Sequence, residues 1–153
     1  MKQMKTLFLA AATSAFMLAS PGLLAHSDEH LATQKAPNGG QQRLAGAYHF
    51  ELVVARDSKE IKENSLLVHV TDHGGGRVST AGASGTATIL SGKSKVTTAL
   101  VPDGDNRMKG SARYAATPEM KVVLSVTLPG KGAEQARFTP LAAPKDGHTD
   151  HAH

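Results

Sequence analysis

The chain has 153 residues, no cysteine and a formal net charge of +4 at neutral pH. The absence of cysteine excludes a disulfide framework, so the fold must rest on the burial of apolar side chains. The small positive charge comes without a basic run or a platform of aromatic residues, which argues against a nucleic-acid-binding protein.

Residues 1–25 have the pattern of a secretory signal peptide. Lys2 and Lys5 form a basic start, residues 7–18 form an apolar stretch too short for a membrane span, and Ala25 ends a small-residue cleavage site. We therefore expect export to the periplasm with cleavage after Ala25. No later run approaches the roughly 20 apolar residues that a membrane span needs.

The next segment, residues 26–42, is polar and without periodicity, and we expect a flexible leader there. The chain after it predicts about seven short strands separated by turn residues. These strands cover residues 48–55, 65–72, 86–90, 94–101, 108–114, 121–128 and 136–140. This pattern is typical of an antiparallel, immunoglobulin-like β-sandwich, which we place at residues 43–141. Residues 142–153 form a polar, histidine-rich tail.

All eight histidines follow residue 25, and three of them end the chain. His148, His151 and His153 lie in a short histidine-rich tract, and such tracts bind divalent metals because neutral imidazole suits copper, zinc and nickel. The alternative is a solvated tail without a ligand.

Two further histidines, His26 and His30, lie in the predicted leader. Cleavage after Ala25 would make His26 the first residue, where its amino group and ring nitrogen chelate one ion. With a third nitrogen this is a good square-planar copper(II) site. The alternative is a frayed leader in which His26 binds nothing.

The remaining histidines lie in or beside predicted strands. His49 and Glu51 alternate with apolar residues, so both point away from the core, and His69 does the same on its own strand. If the two strands pair, these three residues lie close together on an outer face. His73 follows Asp72, and a carboxylate that orients an imidazole is common beside a metal ligand. The alternatives are ordinary surface histidines and an Asp72 that caps a turn.

Other chemistries have weaker support. Only Met108 and Met120 remain after signal removal, which disfavours a thioether copper(I) site. Residues 82–85 lack the spacing of a nucleophile elbow, and residues 74–76 are followed by no helix that could bind phosphate. We therefore expect a protein that is not an enzyme.

Four segments resemble a group of small exported bacterial proteins that accompany heavy-metal efflux systems. They are Pro37-Asn38-Gly39-Gly40, Tyr48-His49-Phe50-Glu51-Leu52-Val53, Val70-Thr71-Asp72-His73 and Thr80-Ala81-Gly82-Ala83-Ser84-Gly85-Thr86-Ala87. The related β-sandwich segments are similar to the YtkA-like family, and the resemblance covers residues 36–141. It implies a Gram-negative periplasm and copper or heavy-metal handling beside a tripartite efflux pump. Related sequences are expected to have a histidine where this chain has Asn38.

A second similarity is to CopC-like copper carriers, which share the sandwich and an amino-terminal histidine, matched here by His26. Residues and resemblance together predict a periplasmic metal-binding accessory protein for heavy-metal homeostasis or efflux. The expected ligand is a divalent ion, first copper(II), with zinc or nickel as alternatives. The rival hypothesis is an envelope interaction module that binds no metal and docks through an edge or face of the sandwich.

Overall fold

The computed structural model describes residues 28–143, apart from the side chains of residues 29 and 33. The chain forms one short helix and eight strands in the described range. They are α1 (Asp28–Thr33), β1 (Gln41–Ala45), β2 (Tyr48–Val54), β3 (Lys62–Asp72), β4 (Ser84–Ser91), β5 (Ser94–Pro102), β6 (Arg107–Tyr114), β7 (Lys121–Thr127) and β8 (Ala133–Phe138).

The strands form one sheet in the order β1-β2-β3-β6-β5-β4-β7-β8, and every neighbouring pair is antiparallel. Strand β5 joins its two halves. Most of β5 pairs with β4, whereas its end, at Val101 and Pro102, pairs with Lys109 and Met108 of β6. The prediction of an all-β, antiparallel fold is confirmed. The strands number eight rather than seven. The predicted sandwich has two sheets, whereas the β5–β6 pairing joins the strands into one continuous sheet.

The two ends of the sheet, β1 and β8, lie against each other, so the sheet is nearly closed. The side chain of Gln41 donates to the Thr139 carbonyl at 3.3 Å and accepts from the Thr139 N–H at 2.8 Å. Arg43 donates from Nε to the Arg137 carbonyl at 3.3 Å. The Gln41 side chain thus takes the place of backbone hydrogen bonds between the two edges, and it satisfies the N–H and C=O groups of Thr139.

The sheet encloses a single apolar core. Alternate residues of each strand supply it, as the period of two in the sequence predicts. The largest fully buried side chains are Tyr114, Phe50, Phe138, Leu52, Leu66, Ile89, Leu100, Met108, Met120, Leu124, Val68 and Val70. The sequence predicts eight core positions. Tyr48 is only partly buried, and the other seven are buried, namely Phe50, Leu66, Val68, Val70, Val122, Leu124 and Val126.

The segment expected to be a flexible leader contains secondary structure. It holds α1 and the start of β1, and Leu31 is buried at 4% exposure. The Asp28 carboxylate accepts a hydrogen bond from the Leu44 N–H at 2.9 Å, which ties α1 to β1. A single buried leucine in a polar stretch gives no periodic pattern in the sequence, so the packing of Leu31 becomes visible only in the tertiary structure.

The β4–β5 hairpin turns at Gly92-Lys93, between the paired residues Ser91 and Ser94. Gly92 has φ of +59° and stands at the first turn position, as in a type II′ hairpin. Within residues 28–143, no helix is long and apolar enough to cross a membrane.

Candidate functional site

Strands β2 and β3 pair in the register that brings the candidate residues together. Glu51 lies directly opposite His69, and His49 lies opposite Thr71. All four residues are on the face of the sheet opposite the core residues Phe50 and Val70. The strand pairing on which the outer-face hypothesis depends is therefore present.

His49 and Glu51 point away from the core as predicted, but neither is an exposed surface residue. His49 is 7% exposed and Glu51 is 3% exposed, although both lie on the outer face of β2. Residues 38–40 cover Glu51, and the turn after β3 brings the His73 ring onto His49. Alternation shows which side of a strand a residue occupies, but a distant segment decides whether that side is covered.

Glu51 is the attachment point of the segment before β1. One of its oxygens, Oε1, accepts hydrogen bonds from the backbone N–H groups of Asn38 and Gly40 at 2.8 and 2.9 Å. The other, Oε2, accepts from the Asn38 side-chain amide at 2.8 Å. Arg56 adds a hydrogen bond from Nη2 to the Gly39 carbonyl. The Glu51 carboxylate therefore stabilises the Pro37-Asn38-Gly39-Gly40 segment on the sheet, and its oxygens are engaged there.

His49 and His73 form a stacked pair, with ring centroids 5.0 Å apart and planes inclined by 24°. The His73 Nε2 atom lies 3.2 Å from the Gly46 carbonyl oxygen. A carbonyl can only accept a hydrogen bond, so Nε2 carries the proton and Nδ1 carries the lone pair in neutral His73. His73 is exposed and reachable from solvent, whereas His49 beneath it is buried.

Asp72 caps the turn after β3. Its Oδ1 accepts from the N–H groups of Gly74 and Gly76 at 2.9 and 2.8 Å. This is the local side-chain-to-backbone pattern that aspartate makes in turns. Asp72 therefore caps the turn, which is the alternative to a role beside a metal ligand. The backbone carbonyl of Gly46, and not Asp72, orients His73.

His69 lies at the wall of a cleft outside β2 and β3. Burial lowers the pKa of His69 below 6.5; the Glu51 carboxylate opposes this shift, whereas Arg107 and Arg77 add to it. His69 is thus predominantly neutral at neutral pH, and both arginines are close enough to influence its charge.

The cleft has a volume of about 400 Å³ and is formed by segments far apart in the chain. Arg77 follows the glycine turn after β3, and Asp103 and Asp105 lie in the loop between β5 and β6. Arg107 begins β6, where it pairs with His69 in the strand register. Neither arginine is among the candidate site residues predicted from the sequence. The pairing of β3 with β6 places Arg107 beside His69, and an isolated antiparallel bridge to Thr71 holds Arg77 near the same cleft.

The other candidate residues lie apart from these contacts. His30 is exposed on α1, with its Nε2 2.9 Å from Nε2 of Gln34. His26, His148, His151 and His153 lie outside the described residues. Within residues 28–143, no three histidine or carboxylate side chains are arranged to hold a metal ion.

No family model matches the chain, and no curated protein matches it either. The resemblance to YtkA-like and CopC-like proteins therefore stays a prediction.

Proposed function

We propose that the protein is an exported metal-binding accessory protein of the periplasm and that His73, whose ring stacks on His49, is the ligand of its structured metal site. The single observation that supports this most directly is the orientation of His73. A backbone carbonyl holds the protonated nitrogen of the ring and leaves the other nitrogen as the donor atom. This is the arrangement that orients metal-ligating histidines in proteins.

The chemistry of His73 favours a borderline divalent ion. Neutral imidazole suits copper(II), zinc or nickel, and copper(II) comes first in the order of affinities. His49 adds no ligand to the same ion, because the lone pairs of stacked rings lie in nearly parallel planes. Glu51 adds none because the Asn38 and Gly40 donors engage its oxygens. Water, or the histidines at positions 26, 148, 151 and 153, would complete the coordination. The predicted link to a heavy-metal efflux complex belongs to this proposal and rests on the sequence resemblance.

The rival interaction module has less support at the sheet edges. An added strand needs an edge with unpaired backbone groups. The edges β1 and β8 lie against each other, with Gln41 and Thr139 hydrogen-bonded across the gap. The hypothesis of an interaction module then rests on docking through an outer face of the sheet.

Calorimetric titration of copper(II), zinc and nickel tests the metal proposal. His73→Ala should abolish one saturable site or weaken it by at least about tenfold, since it removes the imidazole ligand that the Gly46 carbonyl orients. His30→Ala is the matched control, because His30 is also exposed but lies on α1. Both substitutions should be made in a chain whose histidines 148, 151 and 153 are alanine. Equal uptake by the two variants would contradict the proposed site.

A further inference from the structure

The cleft at His69 carries a second inference, which does not depend on the metal proposal. Its volume of about 400 Å³ falls within the range typical of small-molecule sites, about 300–1,000 Å³. Its walls carry two guanidinium groups, those of Arg77 and Arg107, and neutral donors and acceptors from Thr71, Gln42 and His69. Because the site lies on the outer face of the sheet, no core residue has to move to admit a ligand.

The two arginines are held differently. Arg107 donates from Nε to the Asp103 carbonyl at 2.9 Å and pairs through Nη2 with the Asp103 carboxylate, also at 2.9 Å. These two contacts fix the plane of a guanidinium that has further N–H donors to offer. Arg77 is only loosely paired with Asp105 at 4.0 Å, and the two side chains are 75% and 72% exposed. An exposed pair at this distance contributes little to stability, so a competing anion displaces Asp105 at small cost.

The carboxylates of the cleft do not prevent an anion from displacing Asp105 from Arg77. Glu51 directs its oxygens to the N–H donors of Asn38 and Gly40. Asp103 is tied to Arg107, and Asp105 holds Arg77 weakly. The nearby imidazole of His69 is predominantly neutral at neutral pH, so it is available as a hydrogen-bonding partner and not as a fixed charge.

We propose that this cleft binds a small oxyanion, a carboxylate or a phosphate, between Arg77 and Arg107. Guanidinium groups recognise both chemistries with paired N–H donors, and arginine is favoured wherever planar, bidentate recognition of such anions is needed. In the bound state the ligand takes the place of the Asp105 carboxylate on Arg77, while Asp103 keeps Arg107 in position.

Titration calorimetry of the metal-free full chain with citrate, and separately with inorganic phosphate, tests this assignment. Arg77→Gln should weaken binding by about tenfold, a typical effect of losing one charge-assisted pair. Arg113→Gln is the matched control, because Arg113 is an exposed residue of the same strand as Arg107 but does not line the cleft. Asp105→Asn should tighten binding by about threefold, because it removes the carboxylate that competes for Arg77.

Saturable binding of citrate, of phosphate or of both, with opposite effects of Arg77→Gln and Asp105→Asn, supports the proposal and identifies the class of ligand. Absence of saturable binding of either probe overturns it, as does binding that is insensitive to Arg77→Gln. His73→Ala should leave anion binding unchanged. The anion-binding proposal and the metal-binding proposal can therefore be overturned independently of each other.

Discussion

Glu51 and His69 are direct partners across β2 and β3, yet Glu51 is almost fully buried and His69 is only partly covered. The difference comes from Asn38 and Gly40, whose N–H groups donate to the Glu51 carboxylate and leave His69 at the cleft wall. One carboxylate thus attaches the amino-terminal segment and forms part of the boundary of the cleft.

Replacing Glu51 by glutamine should reduce the free energy of unfolding by about 1.5–3 kcal/mol, the usual contribution of hydrogen bonds to a charged group. The amide has one acceptor oxygen and presents an NH₂ group to N–H donors. Urea unfolding measures the change, with Glu119→Gln as the control at an exposed glutamate. A loss no larger than that of the control would show that the segment needs no carboxylate.

Gly40→Ala should detach the same segment by a steric route. A Cβ at residue 40 would overlap the Leu52 carbonyl, whereas one at Gly132 would meet nothing. We expect Gly40→Ala to cost roughly 1–3 kcal/mol and Gly132→Ala to be nearly neutral. Limited trypsin digestion at Lys35 should also become faster in Gly40→Ala alone. Unchanged digestion would mean that the segment tolerates the added methyl group in place.

Leu124→Ala should reduce the free energy of unfolding by about 2–5 kcal/mol, because Leu124 is fully buried in the core. Leu67→Ala should cost less, since Leu67 lies on the opposite face from Leu66 and Val68 and is only half-buried. Chemical denaturation of both variants decides between them. Equal losses would indicate that the outer face of β3 is packed as tightly as the core.

His69 should make stability depend on pH in the acidic range. Burial lowers the pKa of His69 in the folded chain, whereas the unfolded chain has the ordinary value near 6.5. The unfolded state therefore binds more protons between these two values. Stability should be retained above pH 6.5 and should fall as the pH decreases toward the folded-state pKa.

Replacing His69 by glutamine should remove that part of the acid sensitivity, and His30→Gln should not. Urea unfolding of the three chains at a series of pH values between about 5 and 7.5 measures the slopes. The same slope in the native chain and in His69→Gln would contradict the assignment.

Tyr114 should make the stability of the fold decrease as the pH rises in the alkaline range. Burial raises the pKa of Tyr114 to about 12, and its hydroxyl donates to the Ser65 carbonyl at 3.0 Å. Its contribution is present below the unfolded value near 10 and is lost as the pH rises from about 10 toward 12. Ultraviolet titration should show a late tyrosinate transition that disappears in Tyr114→Phe and persists in Tyr48→Phe. A late transition that survives Tyr114→Phe would assign it elsewhere.

The sequence by itself determined seven of the eight strands and the core faces of β2, β3 and β7. Alternation at Leu66, Val68 and Val70 is a local property, and the cap at Asp72 lies within four residues of its donors, so both are visible in the chain. His49 and Glu51 were placed correctly on the face opposite the core for the same reason.

Only the tertiary structure decided what covers that face. Glu51 is buried by residues 11 to 13 positions earlier, and His69 gains Arg107 through the pairing of β3 with β6. The sheet closes through Gln41 and Thr139, which are 98 positions apart. Periodicity reports the direction of a side chain relative to its own strand. Burial, charge environment and ligand access depend on segments that the chain brings back from a distance.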